Sequence, residues 1–239
     1  MRKVIFGVGV ALLTFMLGAI VYYLTTLKPA AQPAAFSKPA EVRYEHKLEV
    51  RPSPVPVNVS IILTSRSLDR DTTVFSHRTL KLSDKTVVVD DLDIDEDVDG
   101  QEMKILGGDK STQFRISERY RTSMTVMGEG PHLDLVNWLH YDSEWIPMKQ
   151  LDQHRFRTLT GEQMDSEKFP ATTKADLMAA VRKAAGDWTE AIELAQSCKG
   201  PTDNPCSVGV SSVYFRVEVL SGVQWITVGL VEVPIPMGC

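Results

Sequence analysis

The chain has 239 residues, 43% hydrophobic and 24% charged, with 26 Lys plus Arg against 31 Asp plus Glu and a net charge of −5 at pH 7. That balance argues against a nucleic-acid partner, because phosphate binding needs clustered positive charge. The three cysteines, Cys198, Cys206 and Cys239, match no C-x-x-C spacing, which argues against a zinc ribbon or a thiol-redox motif.

In chain order the first element is Val4 to Leu24, an uncharged run whose polar groups are Thr14 and the hydroxyls of Tyr22 and Tyr23. As a helix rising about 1.5 Å per residue it covers roughly 30 Å, the thickness of a bilayer's hydrocarbon core. Arg2 and Lys3 precede it, Lys28 follows, and the two tyrosines sit where an aromatic belt meets the headgroups. The rival reading is a cleaved secretory signal. Such a signal has a shorter apolar core of about 7–15 residues and an A-x-A-like cleavage site, and no A-x-A triplet occurs between Leu24 and Ala40. The expectation is a single-pass signal-anchor in the cytoplasmic (inner) membrane. Residues 1–3 stay inside and the bulk of the chain faces the periplasm or the outside.

Residues 28–56 hold six prolines and no sustained apolar period, which predicts a Pro/Ala-rich tether. At about 3.1 Å per residue in polyproline geometry it reaches roughly 90 Å at most. Within it Val42, Tyr44, Leu48 and Val50 alternate enough to form an edge strand, which would shorten that reach.

Residues 57–239 are predicted to form an α+β domain, mainly antiparallel. Val57, Val59, Ile61 and Leu63 lie on one side of a strand, and further strands are expected at Thr73 to Leu82 and Thr86 to Asp90. The clearest alternation is Thr112 to Met127, with Phe114, Ile116, Tyr120, Met124 and Val126 on a core face and Arg115, Arg119 and Arg121 on the other. His132 to Tyr141 fits a helix opened by Pro131 or a strand equally well. Trp145 to Met148 and His154 to Leu159 read as a strand pair around Leu151-Asp152-Gln153.

The helical signal is confined to 173–199, where Leu177, Val181, Ala184, Trp188, Ile192 and Ala195 recur along one face. Thr173 and Asp176 form a start like a capping box, Gly200-Pro201 a stop, and Gly186 marks a kink or break. The C-terminus reads as a β-hairpin, Val208 to Leu220 and Val223 to Val233, turning at Ser221-Gly222. In an exported domain Cys198 and Cys206 are expected to form a disulfide across the Gly- and Pro-containing loop between them. Cys239 is left over for self-association with another chain.

Asp90 to Glu102 carries eight carboxylates and no cation. Within it Asp95, Asp97 and Asp99, followed by Gly100, match the first half of a calcium loop. Position twelve is Leu106 where Glu belongs, and V-V-V-D-D in front is a strand pattern, so a solvated acidic loop is the stronger reading and no cofactor is required. His132, Asp134, His140, Asp142 and His154 have generic spacing, with no H-E-x-x-H or G-x-S-x-G among them. Arg115, Arg119 and Arg121 form a basic row suited to acidic protein segments or anionic headgroups, or to intramolecular pairing, including with the acidic loop.

Location and architecture together predict a non-catalytic interaction or assembly module of the cell envelope, whose partners are the membrane and other envelope proteins and whose candidate contact surfaces are the acidic loop, the arginine row and the terminal hairpin. The alternatives are a membrane-tethered metal-dependent hydrolase using the His132 to His154 region, and a calcium-stabilised adhesion or sensing domain.

Overall fold

A computed structural model describes residues 58–69, 72–128, 132–200 and 202–236. The expected membrane span at 4–24, the tether at 28–56 and Cys239 lie outside the described residues. Among the described residues no helix is long and apolar enough to cross a membrane.

The strands in chain order are β1 (Ser60–Asp69), β2 (Thr72–Lys81), β3 (Val87–Val88), β4 (Glu96–Asp97), β5 (Glu102–Leu106), β6 (Phe114–Met127), β7 (His132–Asp134), β8 (Tyr141–Asp142), β9 (Ile146–Pro147), β10 (Lys149–Gln150), β11 (Arg155–Arg157), β12 (Cys206–Ser221) and β13 (Gln224–Pro234). Two helices, α1 (Lys174–Ala185) and α2 (Thr189–Ser197), precede the last two strands. One sheet has the order β10-β11-β5-β1-β2, with β4 also on β1. The other has the order β3-β13-β12-β6-β7, with β8 and β9 also on β6. Pairing is antiparallel except between β13 and β3.

The sheets face each other over one core, in which Ile61, Leu63, Met103, Ile105 and Phe156 meet Phe114, Ile116, Phe215, Val217 and Val231. The period of two read in β6 places Phe114 and Ile116 there, and carries Met124 and Val126 into a second core beneath the helices. That second core joins them to Leu177, Met178, Val181, Ala191 and Ala195. The same face of one strand therefore serves two cores. Partner strand β12 keeps pace only because its register with β6 shifts between Val210 and Ser212, leaving Ser211 as the extra residue. One added residue reverses side-chain parity, so Cys206 and Val208 before the bulge and Val213 and Phe215 after it all point inward.

The single helical segment expected over 173–199 is two helices. Thr173 caps α1 by accepting a hydrogen bond from the Asp176 N–H, and Asp176 accepts from the Thr173 N–H at 3.1 Å. Gly186, with φ +57°, ends α1 in a conformation that favours glycine. Lys174 donates to the carbonyls of Gln196 and Cys198 at the end of α2, at 2.7 and 2.6 Å, which ties the start of one helix to the end of the other. Ala184, expected on the packed face, is exposed, because α1 packs through Leu177, Met178 and Val181 with Ala185 next along that face, and Ala184 falls beside it.

Three further expectations are corrected. Residues 132–141 form neither one helix nor one strand but two short strands on β6 separated by a turn. Ile146–Pro147 pairs with β6, in the other sheet from β11, and only Lys149–Gln150 pairs with Arg155–Arg157. The hairpin turns at Gly222-Val223, with Ser221 opposite Gln224 and Gly222 at φ +62°.

Cys198 and Cys206 form a disulfide, with Cα atoms 6.1 Å apart, that joins the end of α2 to the start of β12. Both sulfurs belong to the second core. Changing both cysteines to serine is expected to lower stability by roughly 2–3 kcal/mol, or about 5–10 °C in Tm. Thermal unfolding of the full chain followed by circular dichroism, with and without reductant, checks this; an unchanged Tm after verified reduction contradicts it.

Candidate functional site

The residues of β6 that point away from the core are Arg115, Ser117, Arg119 and Arg121, and the register sets them opposite Glu218, Arg216, Tyr214 and Ser212 of β12. Directly opposed side chains on neighbouring strands lie within contact distance, so the sheet itself builds a grid of guanidinium, carboxylate and aromatic groups. Arg115 donates to both oxygens of Glu218, at 2.7 and 2.9 Å, and Arg216 approaches the same carboxylate at 3.5 Å. Arg121 donates to both oxygens of Asp142, at 2.8 and 3.2 Å, and Arg119 reaches that carboxylate at 3.1 Å. Each of these two carboxylates thus sits between two arginines.

Aromatic rings hold the guanidinium planes. Arg115 lies 4.6 Å from the centre of Trp225 and Arg216 4.7 Å from that of Trp145. Arg119 and Arg121 lie 5.5 and 5.4 Å from that of Tyr214. Such contacts contribute about 0.5–1 kcal/mol each where exposed and more where water is excluded. The hydrogen bond to Glu218 raises the Arg115 pKa against the opposing effect of burial. Burial works to lower that of Arg121, and the Asp142 bond and neighbouring negative charge more than offset it. Burial pushes the Tyr214 phenol up to about 12, so it stays neutral between its arginines.

Exposure rises along the row, from 12% for the Arg121 side chain and 17% for Arg119 to 46% for Arg115. At the open end two cavities adjoin. One, of about 360 Å³, is lined by Arg115, Ser117, Trp145, Gln150 and Arg216 with apolar Met148 and Phe156 behind. The other, of about 300 Å³, shares Arg115 and Gln150 and adds Gln113, Gln153 and Trp225. No family model, curated protein or solved structure matches the chain. What the site can do rests on its own geometry.

The arginine row expected from the sequence is therefore a row in space, paired with Glu218 and Asp142 and not with the acidic loop. That loop is not simply solvated either. Glu96 turns inward to Arg78 and Ser65, and Asp97 pairs with Arg66 at 3.2 Å. Asp97 also accepts the Asp99 N–H at 3.0 Å, while Asp95 is exposed. Among the described residues no three His, Cys, Asp or Glu side chains lie where they could hold one metal ion.

The histidines are spread along β6. His132 sits opposite Met127 and bonds Asp134 at 2.6 Å; His140 lies 3.3 Å from the Ser123 hydroxyl; the His154 ring packs 5.6 Å from that of Phe114. At about 3.3 Å per residue the strand positions beside His132 and His154 are roughly 40 Å apart. Ser123, whose hydroxyl lies beside the His140 ring, is 0% exposed.

Sequence reasoning missed Trp145, and it offered the terminal hairpin as a contact surface without singling out Tyr214, Arg216, Glu218 or Trp225. Glu218 and Arg216 carried a signal, since they share the outward parity of β12, but pairing to β6 across a hundred residues is invisible to a local pattern. It also missed Glu118, which falls on the core face of β6 and is 0% exposed. The loop between β11 and α1 crosses β6 here. Leu159 N–H donates to Glu118 at 2.7 Å, Asp165 N–H to the Tyr120 hydroxyl at 2.8 Å, and the Thr122 hydroxyl to the Lys168 carbonyl.

Proposed function

We propose that the chain is a non-catalytic interaction module of the cell envelope. It is anchored by residues 4–24 in the cytoplasmic membrane, carried on the 28–56 tether, and binds an acidic segment of another envelope protein through the outer face of β6 and β12. The observation that carries this reading is the arginine row. Four guanidinium groups share two carboxylates, are held flat by Trp145, Tyr214 and Trp225, and become accessible at the Arg115 end. Fixed, ring-backed arginines suit planar, bidentate recognition of carboxylates, and aromatic and arginine side chains are the types that dominate protein interfaces. The length and lack of charge of residues 4–24 support the membrane placement.

Crosslinking of the full-length protein in its native membrane is expected to capture a second envelope protein, with Arg115→Ala lowering the yield about tenfold, the effect of losing about 1.4 kcal/mol. Capture of the chain alone, or of a partner at undiminished yield, contradicts the interface. Protease added to spheroplasts is expected to digest the domain; an untouched domain contradicts its placement outside.

A further inference from the structure

The larger cavity at the open end of the row has features beyond a general basic face. The Arg216 Nε atom is buried and has no hydrogen-bond partner among the described residues, its contact with Glu218 being a long 3.5 Å. A buried donor left without a partner is unfavourable, so this guanidinium is not fully satisfied by Glu218. The Trp145 ring centre lies 4.7 Å from this guanidinium, so part of its ordering is met before binding. Arg115, on the same wall, gives Glu218 its Nε and one terminal nitrogen, out of the five N–H donors of a guanidinium. Two cations around one carboxylate leave a surplus positive charge at the mouth.

We propose that the cavity between Arg115 and Arg216 is a carboxylate pocket, which receives one Glu or Asp side chain from the acidic partner segment. The proposal rests on the interaction reading above and names the chemistry of its central contact. The Ser117 hydroxyl and the Gln150 amide supply uncharged hydrogen bonds beside the two guanidinium groups, and Met148 and Phe156 line the rear. That mixed lining matches a carboxylate on a methylene stem better than a free inorganic anion. At about 360 Å³ the space holds one such side chain with a few waters, each water occupying about 30 Å³ in the liquid. The adjoining cavity, reached past Arg115 and Gln150, accommodates the next residue of the same segment beside Trp225. A membrane surface fits less well. Headgroup binding relies on long, freely extended cations, whereas Arg216 is 29% exposed and pinned against a ring.

The test is titration of hexaglutamate into the detergent-solubilised full-length protein, followed by calorimetry. Binding is expected to weaken as salt is raised. Arg216→Gln is expected to weaken it at least tenfold, and Arg216→Lys several-fold, because a point charge does not reproduce the planar fork. Gln150→Glu, at an exposed position, sets a fixed carboxylate at the mouth and is expected to abolish binding; it decides the matter if an Arg216 variant fails to fold. Hexaglutamate binding that is absent, or unchanged in these variants, overturns the pocket. Binding of inorganic phosphate as tight as that of the peptide, or of phosphatidylglycerol vesicles through the same residues without peptide binding, also overturns it. If the pocket fails while Arg115→Ala still lowers partner capture in the membrane, the interaction reading survives alone. If hexaglutamate behaves as expected and the membrane yields no partner, the pocket survives and the envelope reading falls.

Discussion

Arg78→Ala is expected to destabilise the folded domain by about 3–5 kcal/mol at neutral pH, a large part of the 5–15 kcal/mol typical of a domain. Glu96 is 5% exposed and owes its charge to Arg78, which donates to both of its oxygens at 3.0 and 2.7 Å. Ser65 adds a bond at 2.7 Å and the Asp93 N–H one at 3.2 Å. The Arg78 guanidinium, with Ser65 helping and burial opposing, holds the Glu96 carboxyl down at about 2. A carboxyl whose folded pKa lies below its unfolded value contributes stability that is present above about pH 4.5 and lost as pH falls toward 2. Removing Arg78 leaves an uncompensated buried charge, which is far worse than never having built the pair. Two signatures separate this from a general packing defect. The penalty should shrink as pH falls and the orphaned Glu96 protonates, and Arg78→Met with Glu96→Gln together should recover much of the loss. Urea unfolding of wild type and variants at several pH values checks both, and a penalty of the same size at every pH contradicts the account.

Glu118→Gln is expected to do the reverse and stabilise the protein at alkaline pH. Burial pushes the Glu118 carboxyl up to about 8, the Leu159 N–H pulls it back in part, and the Asp99 carboxylate pushes it further up. One Glu118 oxygen and one Asp99 oxygen are buried with no hydrogen-bond partner among the described residues. Here the folded pKa lies above the unfolded one. The stability is therefore complete below about pH 4.5 and declines as pH rises to about 8, by roughly 5 kcal/mol at most at 1.4 kcal/mol per unit. Glutamine keeps an acceptor for the Leu159 N–H and has no proton to lose, so the variant's Tm should stay flat between about pH 5 and pH 8, the window between the unfolded and folded values. The wild type should fall by several degrees over the same range. Parallel declines in the two proteins would show that Glu118 does not titrate there.

Neighbours along the chain dictate the local features of this fold. Alternation at every second residue placed Phe114, Ile116, Met124 and Val126 on one side of a strand and three arginines on the other. Thr173 and Asp176 declared a helix start and Gly186 a break. A loop of seven residues containing Gly and Pro brought Cys198 back to Cys206. Each is a matter of backbone geometry or short loop closure, which local residue types dictate. Only the tertiary structure decided which strand lies beside which. Residues 145–148 look like one strand of a pair with 154–159, yet Ile146–Pro147 joins β6 and only the next residues, Lys149–Gln150, join β11, because the segment crosses from one sheet to the other. The bulge at Ser211 is likewise silent in the alternation, since its effect is to keep β12 in step with a partner the local pattern does not name. The charges follow the same rule. Glu96 and Glu118 are both glutamates in polar-looking sequence, and one is held ionised while the other is pushed toward its acid form, because pKa is set by what the fold brings within a few ångströms of the carboxyl and how much water it removes.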